Sequence, residues 1–209
     1  DNKIILLRLF MIVIFDLDRT IFDTEKFKED IAKALNIPVG QYNMDCKKNF
    51  TDKKKVYNPY ELLRILKGEK RISSIKNFRG KIHNLLKDSN AYLLPKVLDV
   101  LKKFKKRGDK LILMSVGYKP WQKSKINSIK IKKYFDKIII VEKEKYNNLE
   151  FLKKEEEKIL IINDDAGEVL DMKKAIGKCE ICLIHGPYSR NAKHNFNTYN
   201  IKDCLKLYA

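Results

Sequence analysis

Two carboxylates stand one residue apart at the end of an unbroken apolar run. The run covers residues 12–15, and Asp16 and Asp18 follow it. An apolar run rich in β-branched residues predicts a strand buried on both faces of a parallel sheet. Two acids this close repel each other unless a cation or a shared proton compensates, and a divalent metal with oxygen ligands can do so. Asp and Thr are also common at helix N-termini, so the rest of the chain must decide between a metal site and a helix cap.

Composition narrows the class of protein. The 209 residues are 44% hydrophobic, and 45 Lys and Arg against 27 Asp and Glu give a net charge of +18. The basic residues are mostly Lys and are spread along the chain, which favours a solvated surface over a dedicated nucleic-acid face. A positive field would still attract anionic substrates. No apolar run approaches the roughly 20 residues that span a bilayer, so we expect no membrane partner.

The four cysteines indicate a reducing, cytoplasmic location, because a chain of this size does not need disulfides to fold. They are Cys46, Cys179, Cys182 and Cys204. Cys179 and Cys182 have CxxC spacing, but they lie in a predicted strand, where residues three apart face opposite sides. We therefore expect no zinc or redox site there.

Strands and helices alternate after residue 95, which predicts βαβ units around a parallel sheet. Residues 24–90 interrupt this alternation with helical patterns only, except for an irregular basic segment over 37–57. A helix is also predicted over 146–156. Further strands are predicted over residues 110–115, 137–141, 159–162 and 180–184, and further helices over 95–107, 119–130, 167–176 and 201–208.

Polar side chains lie at the ends of four predicted strands, of which the first is the run that ends in Asp16 and Asp18. Ser115 ends the second strand, a basic residue near Lys143 follows the third, and Asp164 and Asp165 follow the fourth. In a parallel sheet these ends share one edge with Asp16 and Asp18, and ligands bind at that edge.

This succession of motifs resembles the haloacid dehalogenase-like (HAD) superfamily, over residues 11–184. The local sequence agrees at Ser115-Val116-Gly117-Tyr118, at Gln122 and Lys125, and at residues 133–136. The resemblance implies an α/β fold: a doubly wound parallel sheet (a HAD-like, Rossmann-type core) with a smaller inserted all-helical cap domain. The core would comprise residues 1–22 and 92–209. The helical cap, called the lid below, would comprise residues 23–91, exclude water and select the substrate.

The resemblance also implies catalytic roles. Asp16 would attack phosphorus to form an aspartyl-phosphate, and Asp18 would protonate the leaving oxygen and then activate water. Thr20 would support the loop, and Ser115 would hydrogen-bond a phosphoryl oxygen. Dehalogenases of the family lack the second acid and the metal, so Asp18 indicates phosphoryl chemistry. Backbone N–H groups that follow Asp16 and Ser115 would bind substrate, at Leu17, Val116 and Gly117, and Arg19 could contact it.

A lysine would offset the negative charge, and Lys143 fits the family position better than Lys145. Mg²⁺ would be held by the carboxylates of Asp16 and Asp164 and the backbone carbonyl of Asp18. Asp165 and Glu168 could act in the outer shell, although Glu168 also fits a first-turn helix acid. The sequence departs from the family at Asn163 and Arg19, where many members have Gly, and at Glu168, where many have Asp.

The expected activity is Mg²⁺-dependent hydrolysis of a small phosphorylated metabolite, with phosphomutase activity less favoured. The alternative is a HAD-fold protein directed to nucleic acid, either as a non-catalytic binder or as an end phosphatase. Its candidate surface is a basic cluster with Phe50 and Tyr57 nearby for base stacking. The cluster consists of Lys47, Lys48, Lys53, Lys54 and Lys55.

Overall fold

The computed structural model describes residues 10–129, 131–153 and 155–207. Six parallel strands form one sheet in the order β3-β2-β1-β4-β5-β6, so the strand order reverses at β1. This reversal places the end of β1 at the crevice where open α/β sheets bind ligands. The strands are β1 (Met11–Phe15), β2 (Lys110–Val116), β3 (Lys137–Val141), β4 (Lys158–Asn163), β5 (Glu180–Ile184) and β6 (Thr198–Tyr199).

Helices cover both faces of the sheet, as the doubly wound prediction requires. Alternate residues of β1 enter two hydrophobic clusters: Val13 and Phe15 pack on one side, and Ile12 and Ile14 on the other. All four are at most 2% exposed. The predicted fold class is confirmed. The helices that cover the sheet are α5 (Val97–Arg107), α6 (Lys119–Ser128) and α7 (Ala166–Ile176), and the short α8 (Cys204–Leu207) lies against α5.

Four further helices lie between β1 and α5, within the predicted lid. Asn58 accepts hydrogen bonds from the backbone N–H groups of Tyr60 and Glu61, and so caps the third of them. The residue that caps the first is Asp23, not Thr24 as its sequence indicated. The four are α1 (Thr24–Ala34), α2 (Val39–Cys46), α3 (Pro59–Gly68) and α4 (Ile75–Leu85). The division into residues 1–22, 23–91 and 92–209 stays a prediction, and residues 1–9, 208 and 209 lie outside the described chain.

Several predicted elements were wrong. The segment 37–57 is not irregular: it forms α2 and a π-helical turn over Lys47–Thr51. Burial of Tyr42 and Phe50 in the hydrophobic core accounts for this order, because packing can stabilise helices that lack a strong local signal. The predicted helix 146–156 is two short 3₁₀ turns, over Lys145–Asn148 and Glu150–Leu152. Consecutive asparagines disfavour helix there.

The expectation that the four cysteines are all reduced also requires correction. Cys182 on β5 and Cys204 at the start of α8 form a disulfide, whereas Cys46 and Cys179 are free. Both bonded cysteines are fully buried, and the bond joins the sheet to the last described helix. Among the described residues, no helix is long and apolar enough to cross a membrane.

Candidate active site

The Asp16 side chain lies just beyond β1 and is almost buried, at 7% exposure. Its backbone N–H donates to the carbonyl of Ile162 (2.9 Å), which fixes it to the neighbouring strand β4. The ammonium group of Lys145 donates to its Oδ1 at 2.5 Å. Burial raises the pKa of Asp16 to about 6, although the positive charge of Lys145 opposes the rise. Above that pH the carboxylate is ionised, as a nucleophile requires.

Lys145 occupies the place that the sequence assigned to Lys143. Its side chain is 2% exposed and also donates to Oε2 of Glu168 at 2.6 Å. Burial disfavours its charge, but the two carboxylates outweigh burial and raise the pKa of Lys145 above its ordinary value. Lys143 is exposed. The structure therefore corrects the ranking: Lys145 contacts the predicted nucleophile, and Lys143 does not.

Glu168 is held in place by Asn163, which departs from the family pattern, and by Asp165. Asn163 donates from Nδ2 to Oε2 of Glu168 (3.0 Å) and accepts the N–H of Asp165 (3.0 Å). Asp165 in turn caps α7 by accepting the N–H of Glu168 at 2.9 Å. Asn163 thus links the end of β4 to the carboxylate that orients Lys145. Asp165 acts as a helix cap, and Glu168 combines a first-turn position with a contact inside the site.

Asp18 is surrounded by hydrogen-bond donors that the sequence had not assigned to the site. Lys125 donates to both carboxylate oxygens (2.6 and 2.8 Å), Gln122 donates to Oδ2 (2.8 Å), and the Thr24 hydroxyl donates to Oδ1 (2.6 Å). Burial alone would raise the pKa of Asp18, but Lys125 and these hydrogen bonds lower it well below the ordinary range. Asp18 is therefore ionised in this arrangement.

Lys125 and Gln122 lie three residues apart on α6, and each is only 4% exposed. Residues with that spacing share one helix face, so both reach the end of β1 from the same side. Their place in the local agreement with the family pattern was the signal that could have identified them. Thr24 comes from the first turn of α1, which connects Asp18 directly to the lid.

Asp164 lies at the end of β4 and is 4% exposed. Its Oδ2 has no hydrogen-bond partner in the described chain. Burial and then the negative charge of Asp16 raise its pKa to about 8, with Arg19 opposing. A buried carboxylate oxygen without a donor, beside a second carboxylate, is the environment that a hard cation would satisfy.

The predicted Mg²⁺ ligands fit this environment. Mg²⁺ keeps several waters and needs few protein ligands, so the carboxylates of Asp16 and Asp164 and the Asp18 carbonyl suffice. The described residues contain no cluster of three or more His, Cys, Asp or Glu side chains arranged as a metal cage. The candidate Mg²⁺ site does not require such a cluster, because its third protein ligand would be a backbone oxygen.

Ser115 and Thr20 are buried, at 1% and 0% exposure, and the hydroxyl of each lacks a partner in the described chain. The Ser115 hydroxyl thus has an unused donor at the end of β2, and the role of Thr20 in supporting the loop stays a prediction.

The backbone N–H groups that were predicted to bind substrate differ in whether they already form a hydrogen bond within the chain. The Leu17 N–H donates to no described acceptor, and the residue as a whole is fully buried. The Gly117 N–H already donates to the Val141 carbonyl (2.9 Å), so it is not a free donor as predicted. Gly117 is needed for space instead, since a Cβ there would collide with the Gln122 side chain. Val116 lines the cavity beside it.

Arg19 has a left-handed backbone, with φ of 61°. Glycine adopts this conformation readily, which accounts for its frequency at this position among HAD proteins. The Arg19 Nε donates to Glu25 of α1 at 2.7 Å, and its guanidinium lies 4.6 Å from the ring centre of Tyr188. Arg19 therefore joins the catalytic loop to the lid and to the segment after β5.

The core and the lid enclose a cavity of about 790 Å³ above these residues. Asp16, Asp18, Asp164, Lys145 and Arg19 all line it, and Phe27 and Tyr57 are among the lid residues that face them. This volume lies within the usual range for small-molecule sites.

Comparison with protein-family models matches residues 13–175 to the haloacid dehalogenase-like hydrolase model. The chain belongs to this family. The match includes all four strand ends described above, and the inserted helices as well. A search of curated proteins found no match to this family member.

Solved structures share the fold at low sequence identity. A Burkholderia xenovorans LB400 protein described as a haloacid dehalogenase-like hydrolase has a TM-score of 0.75 and 18% identity, covering 95% of this chain and 96% of its own. A magnesium-bound HAD-hydrolase from Bacillus subtilis, YfnB, has a TM-score of 0.64 and 16% identity, covering 95% and 97%. A predicted phosphoglycolate phosphatase from Haemophilus somnus 129PT has a TM-score of 0.62 and 15% identity, covering 96% and 99%.

Proposed function

We propose that this family member is a Mg²⁺-dependent phosphatase that hydrolyses a small phosphomonoester through an aspartyl-phosphate on Asp16. The carrying observation is the juxtaposition of Asp16, held by Lys145 at 2.5 Å, with a second carboxylate, Asp18, in the same cavity. A nucleophile and an acid–base group with separate partners can act in turn. A small phosphorylated metabolite as substrate and a cytoplasmic location are parts of this proposal.

In the first step, Asp16 attacks the phosphorus atom of the substrate. Lys145 occupies Oδ1, which leaves Oδ2 free to form the new P–O bond. The bond from phosphorus to the leaving oxygen breaks, and that oxygen takes a proton from Asp18. Asp18 must first gain this proton, from solvent or from the monoanionic form of the substrate's phosphate. The negative charge of a bound phosphate raises its pKa, against the lowering effect of Lys125.

In the second step, Asp18 accepts a proton from water, whose oxygen attacks the phosphorus of the aspartyl-phosphate. The bond between phosphorus and Asp16 breaks, and inorganic phosphate leaves. Ser115 and the Leu17 N–H are free to donate to phosphoryl oxygens in both steps. Bound Mg²⁺ would neutralise negative charge that collects between Asp16, Asp164 and the phosphoryl group.

Asp18 and Asp164 favour phosphatase over dehalogenase activity. Displacement of halide by a carboxylate needs neither a leaving-group acid nor a metal, as the resemblance to family dehalogenases implies. Here Asp164 is buried and Asp18 is half-buried, and removal of a charge from water is costly unless it serves the structure or the chemistry. Asp164 has no partner that would explain it structurally, since its Oδ2 is unpaired in the described chain.

The nucleic-acid alternative loses its stacking platform. Phe50 is 2% exposed, and its ring packs edge-on against Tyr57, with ring centres 5.3 Å apart. The Tyr57 hydroxyl is hydrogen-bonded to that of Tyr42 (2.6 Å). Phe50 therefore offers no face to a base, and half-buried Tyr57 faces the cavity above Asp16, which argues against a stacking surface shared with the exposed lysines.

The test is release of phosphate from 4-nitrophenyl phosphate and a panel of phosphorylated metabolites, with Mg²⁺ or with EDTA. We expect turnover with Mg²⁺, loss in EDTA and recovery when Mg²⁺ is restored. Undiminished turnover in EDTA would contradict the metal. Chloride release from 2-chloropropionate without phosphate release from any ester would contradict the phosphatase assignment.

A further inference from the structure

The cavity above Asp16 is divided by charge. Among the described residues that line it, every carboxylate belongs to the core, and the lid contributes none. The lid contributes three lysines instead: Lys28 from α1, and Lys54 and Lys55 from the turn after the π-helical segment. A substrate bound between the two halves therefore meets the reactive carboxylates below and positive charge above.

The three lid lysines are not neutralised. Lys54 forms no ion pair within the described chain. Lys28 approaches Glu25 at 3.3 Å, and Lys55 approaches Glu61 at 3.5 Å. Both glutamates are well exposed and neither lines the cavity. Exposed pairs of this kind are screened by solvent and contribute little. All three lysines thus remain available to an anion in the cavity.

The turn that carries Lys54 and Lys55 is well defined. The Lys54 N–H donates to the Thr51 carbonyl (3.0 Å), and the Lys55 N–H donates to the Phe50 carbonyl (2.8 Å). Lys54 has a left-handed backbone with φ of 52°, a conformation for which Asn and Gly are better suited.

We infer that the substrate carries a second anionic group, which binds the lid lysines while the scissile phosphate lies at Asp16. This inference rests on the proposed phosphatase function and specifies its substrate class as bisphosphates or phosphorylated carboxylic acids. The cavity wall also includes Phe27, Ile31 and Val56, which suit an apolar body joining the two anions. At about 790 Å³, the cavity is far larger than a phosphate group needs.

Two substrates that differ by one phosphate test the inference. Adenosine 5′-monophosphate and adenosine 3′,5′-bisphosphate share the same nucleoside, and kcat/KM is measured for each with Mg²⁺. We expect the bisphosphate to be preferred on the order of tenfold, the effect of a few screened charge pairs. Lys54→Asn removes the charge from a position where Asn is compatible with the backbone, so the preference should fall several-fold. Lys54→Arg should retain the preference, as should the matched control Lys53→Asn, because Lys53 lies outside the cavity.

A binding measurement tests this inference separately from the proposed phosphatase activity. Both nucleotides are titrated into the Asp16→Asn variant by calorimetry, which requires no turnover. Tighter binding of the bisphosphate, weakened by adding Lys54→Asn, would support the inference even if no substrate is hydrolysed. Equal affinity for the two nucleotides, or a preference unaffected by Lys54→Asn, would overturn it. A tenfold preference for a 5′-phosphorylated oligonucleotide over the bisphosphate would overturn the small-molecule substrate class.

Discussion

Lys145 and Asp16 lie 129 residues apart in the chain, and the Lys145 ammonium donates to Oδ1 of Asp16 at 2.5 Å. Glu168 holds the same ammonium from the other side at 2.6 Å. The positive charge of Lys145 opposes the rise that burial causes in the pKa of Asp16, so that the pKa is about 6 and Asp16 is mostly ionised at neutral pH. The relationship joins the ends of β1, β3 and β4 in a single charge network, and it gives the first prediction.

Lys145→Met should lower both stability and kcat/KM strongly, and Lys143→Met should lower them only slightly. The first change leaves the buried Asp16 carboxylate and the half-buried Glu168 carboxylate without a counter-ion, which should lower the free energy of unfolding by about 3 kcal/mol. It should also lower kcat/KM on the order of 10² to 10³-fold, since transition-state charge loses its partner. Assays below the melting temperature of each variant separate these effects. Equal losses in the two variants, or a larger loss in Lys143→Met, would return the role to Lys143.

Lys125→Met should impair substrates according to their leaving groups. Lys125 and Gln122 position Asp18, so losing the lysine disturbs the group that protonates the leaving oxygen. An alkyl phosphate such as glycerol phosphate needs that proton far more than 4-nitrophenyl phosphate does. We expect a drop in kcat of about 10²-fold for the alkyl ester and a smaller one for the aryl ester. Lys123→Met, on the exposed side of α6, is the control. The same factor for both esters would mean that Lys125 has no such positioning role.

Asp164 should make the metal-free protein less stable as pH rises. Its folded pKa of about 8 exceeds the ordinary 3.8, so between these values the folded state retains a proton that the unfolded chain has lost. The free energy of unfolding therefore falls as pH increases across that window. Asp16, with a pKa of about 6, adds to the same trend.

Thermal melts in EDTA at pH 5 and pH 8 measure this effect. Asp164→Asn should flatten the pH dependence, and exposed Asp52→Asn should not. Mg²⁺ should raise the melting temperature of the wild type at pH 8 and have little effect on Asp164→Asn, because a ligand stabilises the state that binds it. A wild-type melting temperature that rises from pH 5 to pH 8 in EDTA would contradict the assigned environment of Asp164.

The sheet and its acidic edge were predictable because their signals are local. Each central strand is a short apolar run, and the polar residue that ends it marks the site: Asp16, Ser115 and Asp164 all lie where this reasoning places them. The lid was harder. Its segment 37–57 contains breakers and many lysines, and it becomes helical because Tyr42 and Phe50 are buried against other parts of the chain.

The charge partners were not predictable, because they depend on contacts between distant elements. Position in the sequence favoured Lys143 over Lys145, but a 3₁₀ turn begins at Lys145, whose side chain is buried, while Lys143 stays exposed. Lys125 reaches Asp18 only once α6 packs on the sheet beside β3. The Cys182–Cys204 disulfide likewise requires α8 to lie against β5. Spacing along the chain carries no information on any of these pairings.

The central claim is that Asp16 becomes phosphorylated during turnover. Wild-type protein mixed with excess 4-nitrophenyl phosphate and Mg²⁺, quenched in acid and digested, should yield a peptide containing Asp16 whose mass has increased by one phosphoryl group. The Asp16→Asn variant should keep its fold, lose at least 10³-fold in kcat and show no modified peptide, because an amide cannot serve as the nucleophile. Phosphate release at a near-normal rate by Asp16→Asn, or a phosphoryl group found on another residue, would contradict the account.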